Sequence, residues 1–214
     1  MLKISGIKLA VPRLRSELMI YKKILVPLDG SKLAEGVIPY VRLLASALKL
    51  PVDLMHVNDP ETVAPVHHRI QGHEYLKEVA ALFTSSVGVN CRVENGRAAE
   101  VIVDRGSGAA GTLITMATHG RSGAQRWLLG SVTQKVLQVS TDPLLLIRPR
   151  EETLARDVRL NKIILPLDGS LLAEKIFSHV IYLANRLGLE VVLIRTYTLP
   201  TTGYFLATGI SPPA

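Results

Sequence analysis

A nine-residue segment recurs within this 214-residue chain. Residues 23–31 read Lys-Ile-Leu-Val-Pro-Leu-Asp-Gly-Ser, and residues 162–170 read Lys-Ile-Ile-Leu-Pro-Leu-Asp-Gly-Ser. The offset of 139 positions continues without a gap, so that Leu33-Ala34-Glu35 returns as Leu172-Ala173-Glu174. A gapless repeat of this kind predicts a tandem duplication of one folded unit.

Hydrophobic spacing predicts alternating strands and helices. The apolar run at 23–28 is typical of a strand buried on both faces of a parallel sheet, and helical spacing follows from 32 to 50. Strands alternating with helices predict an α/β fold with a five-stranded, parallel, doubly wound, Rossmann-like sheet and right-handed crossovers. Further strands are predicted at 52–57, 90–94, 112–116 and 144–147, further helices at 74–87, 97–106 and 130–139, and a loop at 60–73.

The repeat divides the chain into four segments. We predict an N-terminal tail at 1–20, a complete domain at 21–149, a charged linker at 150–160 and a partial second domain at 161–214. Met19 precedes the first strand closely enough to be an alternative start. The second domain holds only a β-α-β unit, which buries too little surface to be stable alone. We therefore expect that the polypeptide is truncated, or that this unit packs onto the first domain or a partner chain.

Composition narrows the class of protein. Of the net charge of +7, the first 23 residues supply +5, since they hold six Lys and Arg against Glu17 alone. This distribution, with 5% aromatic residues, argues against nucleic-acid binding. No apolar stretch is long enough to cross a membrane. The single cysteine, Cys91, excludes an internal disulfide and fits a reducing cytoplasm, where we expect the protein.

One stretch points to a ligand. Thr112-Leu113-Ile114-Thr115-Met116 is a predicted strand, a glycine-containing loop follows, and a helix begins at Gly130-Ser131. This layout places backbone N–H groups and the positive end of a helix dipole at the carboxyl edge of a parallel sheet, where α/β proteins bind ligands. The spacing alone leaves open whether the loop cradles a phosphate or only makes a turn, with Ser131 as the helix cap.

The same stretch resembles the signature of the universal stress protein family, in which two glycines separated by two residues precede nine more and then Gly-Ser. Gly120, the nine residues 121–129 and Gly130-Ser131 fit it, whereas Ala117 stands at the first glycine. Residues 23–31 resemble the family's first strand, and His56-Val57 resembles the end of its second. The resemblance covers 21–149 as a complete domain and 160–199 as the front of another.

The resemblance implies an adenine nucleotide α-hydrolase-like fold that binds ATP, AMP or ADP, with Mg²⁺ carried by the nucleotide. Asp29 would accept a hydrogen bond from the ribose or adenine region of the nucleotide, although its position also suits a turn residue. Alanine at position 117 is tolerated if φ is negative there, and weakens binding if φ must be positive. The implied binding residues are Pro27, Leu28, Asp29, Val57, Met116, Ala117, Gly120, Arg121, Gly130, Ser131, Val132 and Thr133.

The resemblance also implies a homodimer through the fifth strand, Leu144 to Ile147. Beyond Asp29, which the resemblance assigns to the sugar end, we find no placed general base and no metal-ligand carboxylate pair near the phosphate loop, so a regulatory binding protein is favoured over a slow ATPase. A dimerisation scaffold without a ligand is the third possibility. The His67-His68 and His73 cluster is interpreted as solvated rather than metal-binding, and Cys91 as a small buried hydrophobic residue.

Overall fold

Strands and helices alternate along the chain in a computed structural model that describes residues 20–61, 67–118, 129–148 and 158–195. The chain divides into two compact units, with the boundary in sequence between Arg159 and Leu160. In the first unit the elements are β1 (Lys23–Pro27), α1 (Lys32–Glu35), α2 (Ile38–Leu48), β2 (Val52–Asn58), α3 (His67–Ala80), β3 (Val89–Asn95), α4 (Ala98–Ser107), β4 (Thr112–Ala117), α5 (Ser131–Val139) and β5 (Leu144–Ile147). In the second they are β6 (Lys162–Leu167), α6 (Leu171–Glu174), α7 (Phe177–Leu187) and β7 (Glu190–Arg195).

The first unit is built on a five-stranded parallel sheet in the order β3-β2-β1-β4-β5. Ile24 shows the central place of β1, because it is paired with Val52 of β2 on one side and with Leu113 of β4 on the other. The predicted fold class, a parallel α/β sheet with flanking helices, is confirmed.

The core of the first unit lies on both faces of β1. Ile24, Leu25 and Val26 are all buried, as expected for a continuous apolar strand inside a parallel sheet. On one face of the sheet, α4 and α5 pack over a buried hydrophobic cluster. The cluster contains Leu25, Met55, Ile102, Ile114, Met116 and Val136.

The helix predicted from Lys32 to Leu50 is interrupted. The structure forms α1 and α2 instead, with Gly36 as the C-cap of α1 and Pro39 in the first turn of α2. Proline has no N–H to donate to the preceding turn, and its ring fits only the start of a helix, so the helix restarts there. The end of α2 is set by Lys49, which has a left-handed φ of 55°.

The second predicted helix is also shifted. The segment 60–73 was predicted as a loop and 74–87 as a helix, whereas α3 begins at His67 and ends at Ala80. Leu82, predicted on the apolar face of this helix, is 54% exposed. The chain leaves the helix in a tight turn after Ala80, in which Leu82 N donates to Val79 O and Phe83 N donates to Ala80 O.

A partly buried ion pair joins β1 and β2 at the amino edge of the sheet. The Lys23 Nζ lies 3.1 Å from Asp53 Oδ2, and Asn90 Nδ2 donates to Asp53 Oδ1 at 2.9 Å. Burial raises the pKa of Asp53, but the hydrogen bonds from Asn90 and Lys23 and the charges of Lys23 and Arg92 outweigh it and hold the pKa below its ordinary value. Ionised Asp53 therefore stabilises the folded first unit.

Replacing Asp53 by asparagine should reduce the pH dependence of stability. Because the folded pKa is lowered, the stabilisation is complete above the unfolded pKa of about 3.9 and is lost as the pH falls through the folded value. The difference in free energy of unfolding between wild type and Asp53→Asn should therefore shrink as the pH falls below about 5. Urea unfolding across this range measures it, with the exposed Asp104→Asn as control. A constant difference would contradict the assignment.

The second unit has the same local geometry as the start of the first. The strands β6 and β7 pair in parallel with Ile163 opposite Val191, which is the register of Ile24 opposite Val52 shifted by 139 positions. Ser170 caps α6 by accepting from Ala173 N at 3.1 Å. Within the described residues, no helix is long and apolar enough to cross a membrane.

Candidate functional site

The candidate site lies at the carboxyl edge of the sheet between β1 and β4. From β1 the chain moves outward on one side to β2 and β3, and then crosses to β4 and β5 on the other side. The loops leaving β1 and β4 therefore diverge to opposite faces of the sheet, which opens a crevice at this topological switch point. Both predicted ligand-binding loops begin at its rim.

The loop after β1 is fixed by its own backbone. Leu28 N donates to Met55 O at 2.8 Å, which extends the sheet by one residue. Asp29 Oδ1 accepts from Ser31 N at 2.9 Å, Gly30 takes a φ of 81°, and Ser31 Oγ accepts from Ala34 N. The Asp-Gly-Ser sequence thus encodes a turn and a helix cap, and the turn fixes the direction of the Asp29 carboxylate.

The same turn forms in the second unit, where Ser170 N donates to Asp168 Oδ1 at 2.8 Å. Hydrogen bonds from Ser170 lower the pKa of the Asp168 carboxyl. The turn interpretation of Asp29 is therefore confirmed. A carboxylate has about four acceptor sites, so the turn does not by itself occupy Asp29.

His56 supports the loop after β1 from the neighbouring strand. Its ring is 9% exposed, and Nδ1 lies 2.8 Å from Leu28 O, the carbonyl that precedes Asp29. Tyr75 of α3 packs edge-on against the ring, with centroids 6.3 Å apart. A Cβ on Gly72 would lie 3.0 Å from His56 Cδ2, so this helix position favours glycine. In the sequence, His56 marked only the end of a strand; its bond to Leu28 depends on the register of β1 and β2.

The first turn of α5 is attached to the end of β4 by two hydrogen bonds. Gly130 N donates to Thr118 O at 2.7 Å, and the buried Thr133 Oγ1 donates to Ala117 O at 3.0 Å. The N-cap of α5 is Gly130, not Ser131, which is the first helical residue and is exposed. The suggestion that Ser131 caps the helix is therefore wrong, and the Thr133 hydroxyl holds the helix in place.

Ala117 is an ordinary strand residue. It ends β4 and is buried, and among the described non-glycine residues only Lys49 has a positive φ. The glycine of the family signature is therefore not required at this position for its left-handed conformation. Relative to that signature, Ala117 adds a methyl group at the end of β4.

The structure brings most of the predicted binding residues to one edge. Pro27, Leu28 and Asp29 follow β1, Met116 and Ala117 close the adjacent β4, and Val57 lies near the end of β2 on the other side. Gly130, Ser131, Val132 and Thr133 form the start of α5. Gly120 and Arg121 lie outside the described residues.

Other candidate residues form no second site among the described ones. No group of three or more His, Cys, Asp and Glu side chains there is placed to hold a metal ion. Cys91 is partly buried, and its thiol donates to Leu76 O at 3.5 Å. Burial raises the pKa of the Cys91 thiol, which disfavours the reactive thiolate. The side chains of His67 and His68 lie outside the described part.

A model of the universal stress protein family matches residues 20–148, more than half of the chain. The chain belongs to the universal stress protein family. The matched range coincides with the five-stranded unit and contains every described residue of the candidate site. The predicted family is therefore confirmed.

Individual proteins of similar sequence or structure support this assignment. Universal stress protein MJ0531 of Methanocaldococcus jannaschii is 28% identical over 146 residues, covering 62% of this chain and 86% of the relative. The structure of hypothetical protein MJ0577 is similar with a TM-score of 0.53 and 26% identity, covering 62% of this chain and 99% of that one. A universal stress protein from Archaeoglobus fulgidus shares the fold over 87% of this chain and 71% of its own, with a TM-score of 0.69 and 18% identity.

Thr133→Val should destabilise the universal stress protein domain. Valine has nearly the same shape but cannot donate to Ala117 O, and the loss of a buried hydrogen bond costs about 1–3 kcal/mol of unfolding free energy. The exposed Ser131→Ala, two residues away, should change it by less than about 0.5 kcal/mol. Urea unfolding of both variants measures the difference. Equal effects of the two substitutions would show that Thr133 does not anchor α5.

Proposed function

We propose that the crevice between β1 and β4 binds an adenine nucleotide, ATP, AMP or ADP, and that the protein acts as a nucleotide-dependent regulatory or stress-response protein. The observation that carries the proposal is the strand order β3-β2-β1-β4-β5, which places the only reversal of direction within the described sheet between β1 and β4. Nucleotides bind in α/β folds at such a reversal. The start of α5 is attached directly to the same edge.

The site offers different chemistry at its two ends. At the β1 end, Asp29 supplies a carboxylate that accepts hydrogen bonds from ribose hydroxyls. Pro27 and Leu28 flank the base, and Val57 presents backbone groups and apolar surface to it. At the α5 end, the first-turn N–H groups of an α-helix have no partner within the helix and favour anions. Ser131, which is exposed, adds a hydroxyl there. The acidic end suits the ribose hydroxyls of a nucleotide, and the anion-binding end suits its phosphates.

In this proposal, Gly130 does not donate its N–H to the phosphate. That N–H is already donated to Thr118 O, so the phosphate contacts in this proposal come from Ser131, Val132 and Thr133 N–H. The absence of a Cβ at Gly130 lets a phosphate approach the helix end. Met116 and Ala117 line the ribose between the two ends. Mg²⁺, where present, is carried by the nucleotide.

We further propose that the protein works by binding and not by turnover. Among the described residues, the one carboxylate that the predicted site contains is Asp29, and the Ser31 N–H orients it in a turn on the β1 side of the crevice. Hydrolysis needs a base or a metal ligand beside the transferred phosphate. The cellular location proposed with this function is the cytoplasm.

Purified protein should release an adenine nucleotide on denaturation, and Asp29→Ala should hold less of it. Removing a charged hydrogen-bond partner costs about 1.5–3 kcal/mol, which is about 10- to 100-fold in affinity. Asp29→Asn keeps an oxygen for the Ser31 turn but removes the charge, so it separates loss of the ligand contact from loss of the turn. Chromatography measures the amount of nucleotide that each protein releases, and titration calorimetry measures its affinity for ATP.

The two other functions predict different results in the same experiment. Steady release of phosphate with turnover would support a slow ATPase and contradict the binding role. No nucleotide, and no thermal shift with added ATP in wild type, would support a scaffold without a ligand. The control is Ser107→Ala, at the end of α4 and outside the candidate site, which should bind as wild type does.

We also propose that the protein forms a homodimer through β5. This strand is at the edge of the sheet, paired only with β4 among the described strands, and Leu144, Leu145 and Leu146 are only half-buried. An apolar strand with one open edge favours pairing with a second copy.

Leu145→Arg should convert the dimer to a monomer, because it places a charge in the proposed interface. Light scattering at micromolar concentration measures the mass. Leu82→Arg, at an exposed leucine on the surface of the first unit, is the matched control and should remain dimeric. A monomeric wild type would contradict the proposal.

A further inference from the structure

The strand β3 ends in the dipeptide Asn95-Gly96, which is the one place in the sequence where glycine follows asparagine. The other four asparagines, at positions 58, 90, 161 and 185, precede aspartate, cysteine, lysine and arginine. Glycine has no side chain to hinder its backbone, so its nitrogen approaches the preceding side-chain amide more easily than that of a larger residue. Asn95 is therefore the asparagine of this chain most prone to lose its amide nitrogen.

The fold leaves this dipeptide accessible and favours glycine within it. Asn95 is exposed, and β3 is an outer strand of the described five-stranded sheet. Gly96 takes a φ of 142°, and a Cβ there would lie 3.1 Å from Val101 Cγ2. A residue with a side chain is strained at such a φ. The backbone therefore keeps a glycine beside an asparagine that water can reach.

Asn58, at the end of β2, holds both groups that would react. Its Nδ2 donates to Asn95 Oδ1 at 3.0 Å, and its backbone oxygen accepts from Gly96 N at 3.2 Å. The two bonds direct the Asn95 amide and the Gly96 N–H toward β2 instead of toward each other. A reaction between them therefore requires the ends of β2 and β3 to separate locally.

We propose that Asn95 is a site of spontaneous deamidation and that Asn58 sets its rate. The Gly96 nitrogen loses its proton and attacks Asn95 Cγ, the bond from Cγ to the side-chain nitrogen breaks, and ammonia leaves. The product is a five-membered succinimide. Water then adds to either ring carbonyl and opens the ring to aspartate or isoaspartate. Water is the only co-reactant, so the reaction is independent of the proposed nucleotide site.

Deamidation would change the connection from β3 to α4. Either product adds a negative charge, and isoaspartate also adds a methylene to the main chain before Gly96. The Gly96 N–H bond to Asn58 O lies at one end of this connection, and at the other end Asp59 Oδ2 accepts from Ala98 N at 2.8 Å. A longer main chain disturbs this spacing, so we expect faster hydrogen exchange of the Gly96 and Ala98 amides in the modified protein.

Incubation of the full chain at neutral pH, followed by tryptic digestion and mass spectrometry, measures the rate. The peptide of residues 93–97 should gain the mass of an amide-to-acid exchange faster than the peptides with the other asparagines. In urea Asn95 should react at least about tenfold faster, because both bonds to Asn58 are lost. Asn58→Ala removes one of these bonds and should raise the rate in the folded protein by about two- to tenfold.

Control variants separate the effect of Asn58 from other causes. Asn161→Ala makes the same change at an exposed asparagine of the second unit and should leave the rate at Asn95 unchanged. Asn95→Gln keeps an amide but would need a larger ring, so the mass gain should disappear. Circular dichroism checks that Asn58→Ala is folded, and its rate in urea should equal that of wild type.

Three results would overturn the proposal. One is an unchanged Asn95 in the folded chain after the chain in urea has reacted completely. Another is the same rate with and without urea, since the fold then gives no protection. The third is a folded Asn58→Ala variant that reacts as slowly as wild type.

Discussion

The parallel pairing of β1 on both of its edges is the constraint on which the rest of the first unit depends. A strand held between β2 and β4 must be apolar on both faces, as Ile24, Leu25 and Val26 are. The same pairing aligns the carboxyl ends of β1 and β4, from which the two loops of the candidate site leave in opposite directions. The core and the crevice are thus two results of one arrangement of strands.

The second unit shows what β1 would be without β4. Its strand, Asp-Gly-Ser turn and capped helix form in the same way, because hydrogen bonds between near neighbours in sequence are sufficient for them. Ile164, Leu193 and Ile194 of its strands are nevertheless exposed. Among the described residues, the second unit has no counterpart of the α5 helix end. Local structure is encoded within a few residues, whereas a buried core and a complete crevice require elements far apart in the chain.

This difference also explains how far the sequence could be interpreted. Alternating apolar runs and helical spacing were sufficient to predict the strands and the parallel sheet, since both are repeated local patterns. The predicted helix is interrupted near Pro39 because of that single residue. The apolar residues around Pro39 keep helical spacing, so the spacing alone did not predict the interruption. The start of α3 at His67 could not be predicted from its polar sequence. The bonds of His56 to Leu28 and of Thr133 to Ala117 join residues 28 and 16 positions apart, so they depend on strand register and helix placement.

A nucleotide site between β1 and β4 is tested most directly by mapping the backbone amide resonances of the protein as AMP is added. The largest shifts should fall on residues 28–31, 57, 116–118 and 131–133, at the ends of three adjacent strands and the start of α5. The amides of β6 and β7 should not move. Shifts confined to other regions, or none at saturating AMP, would contradict the site.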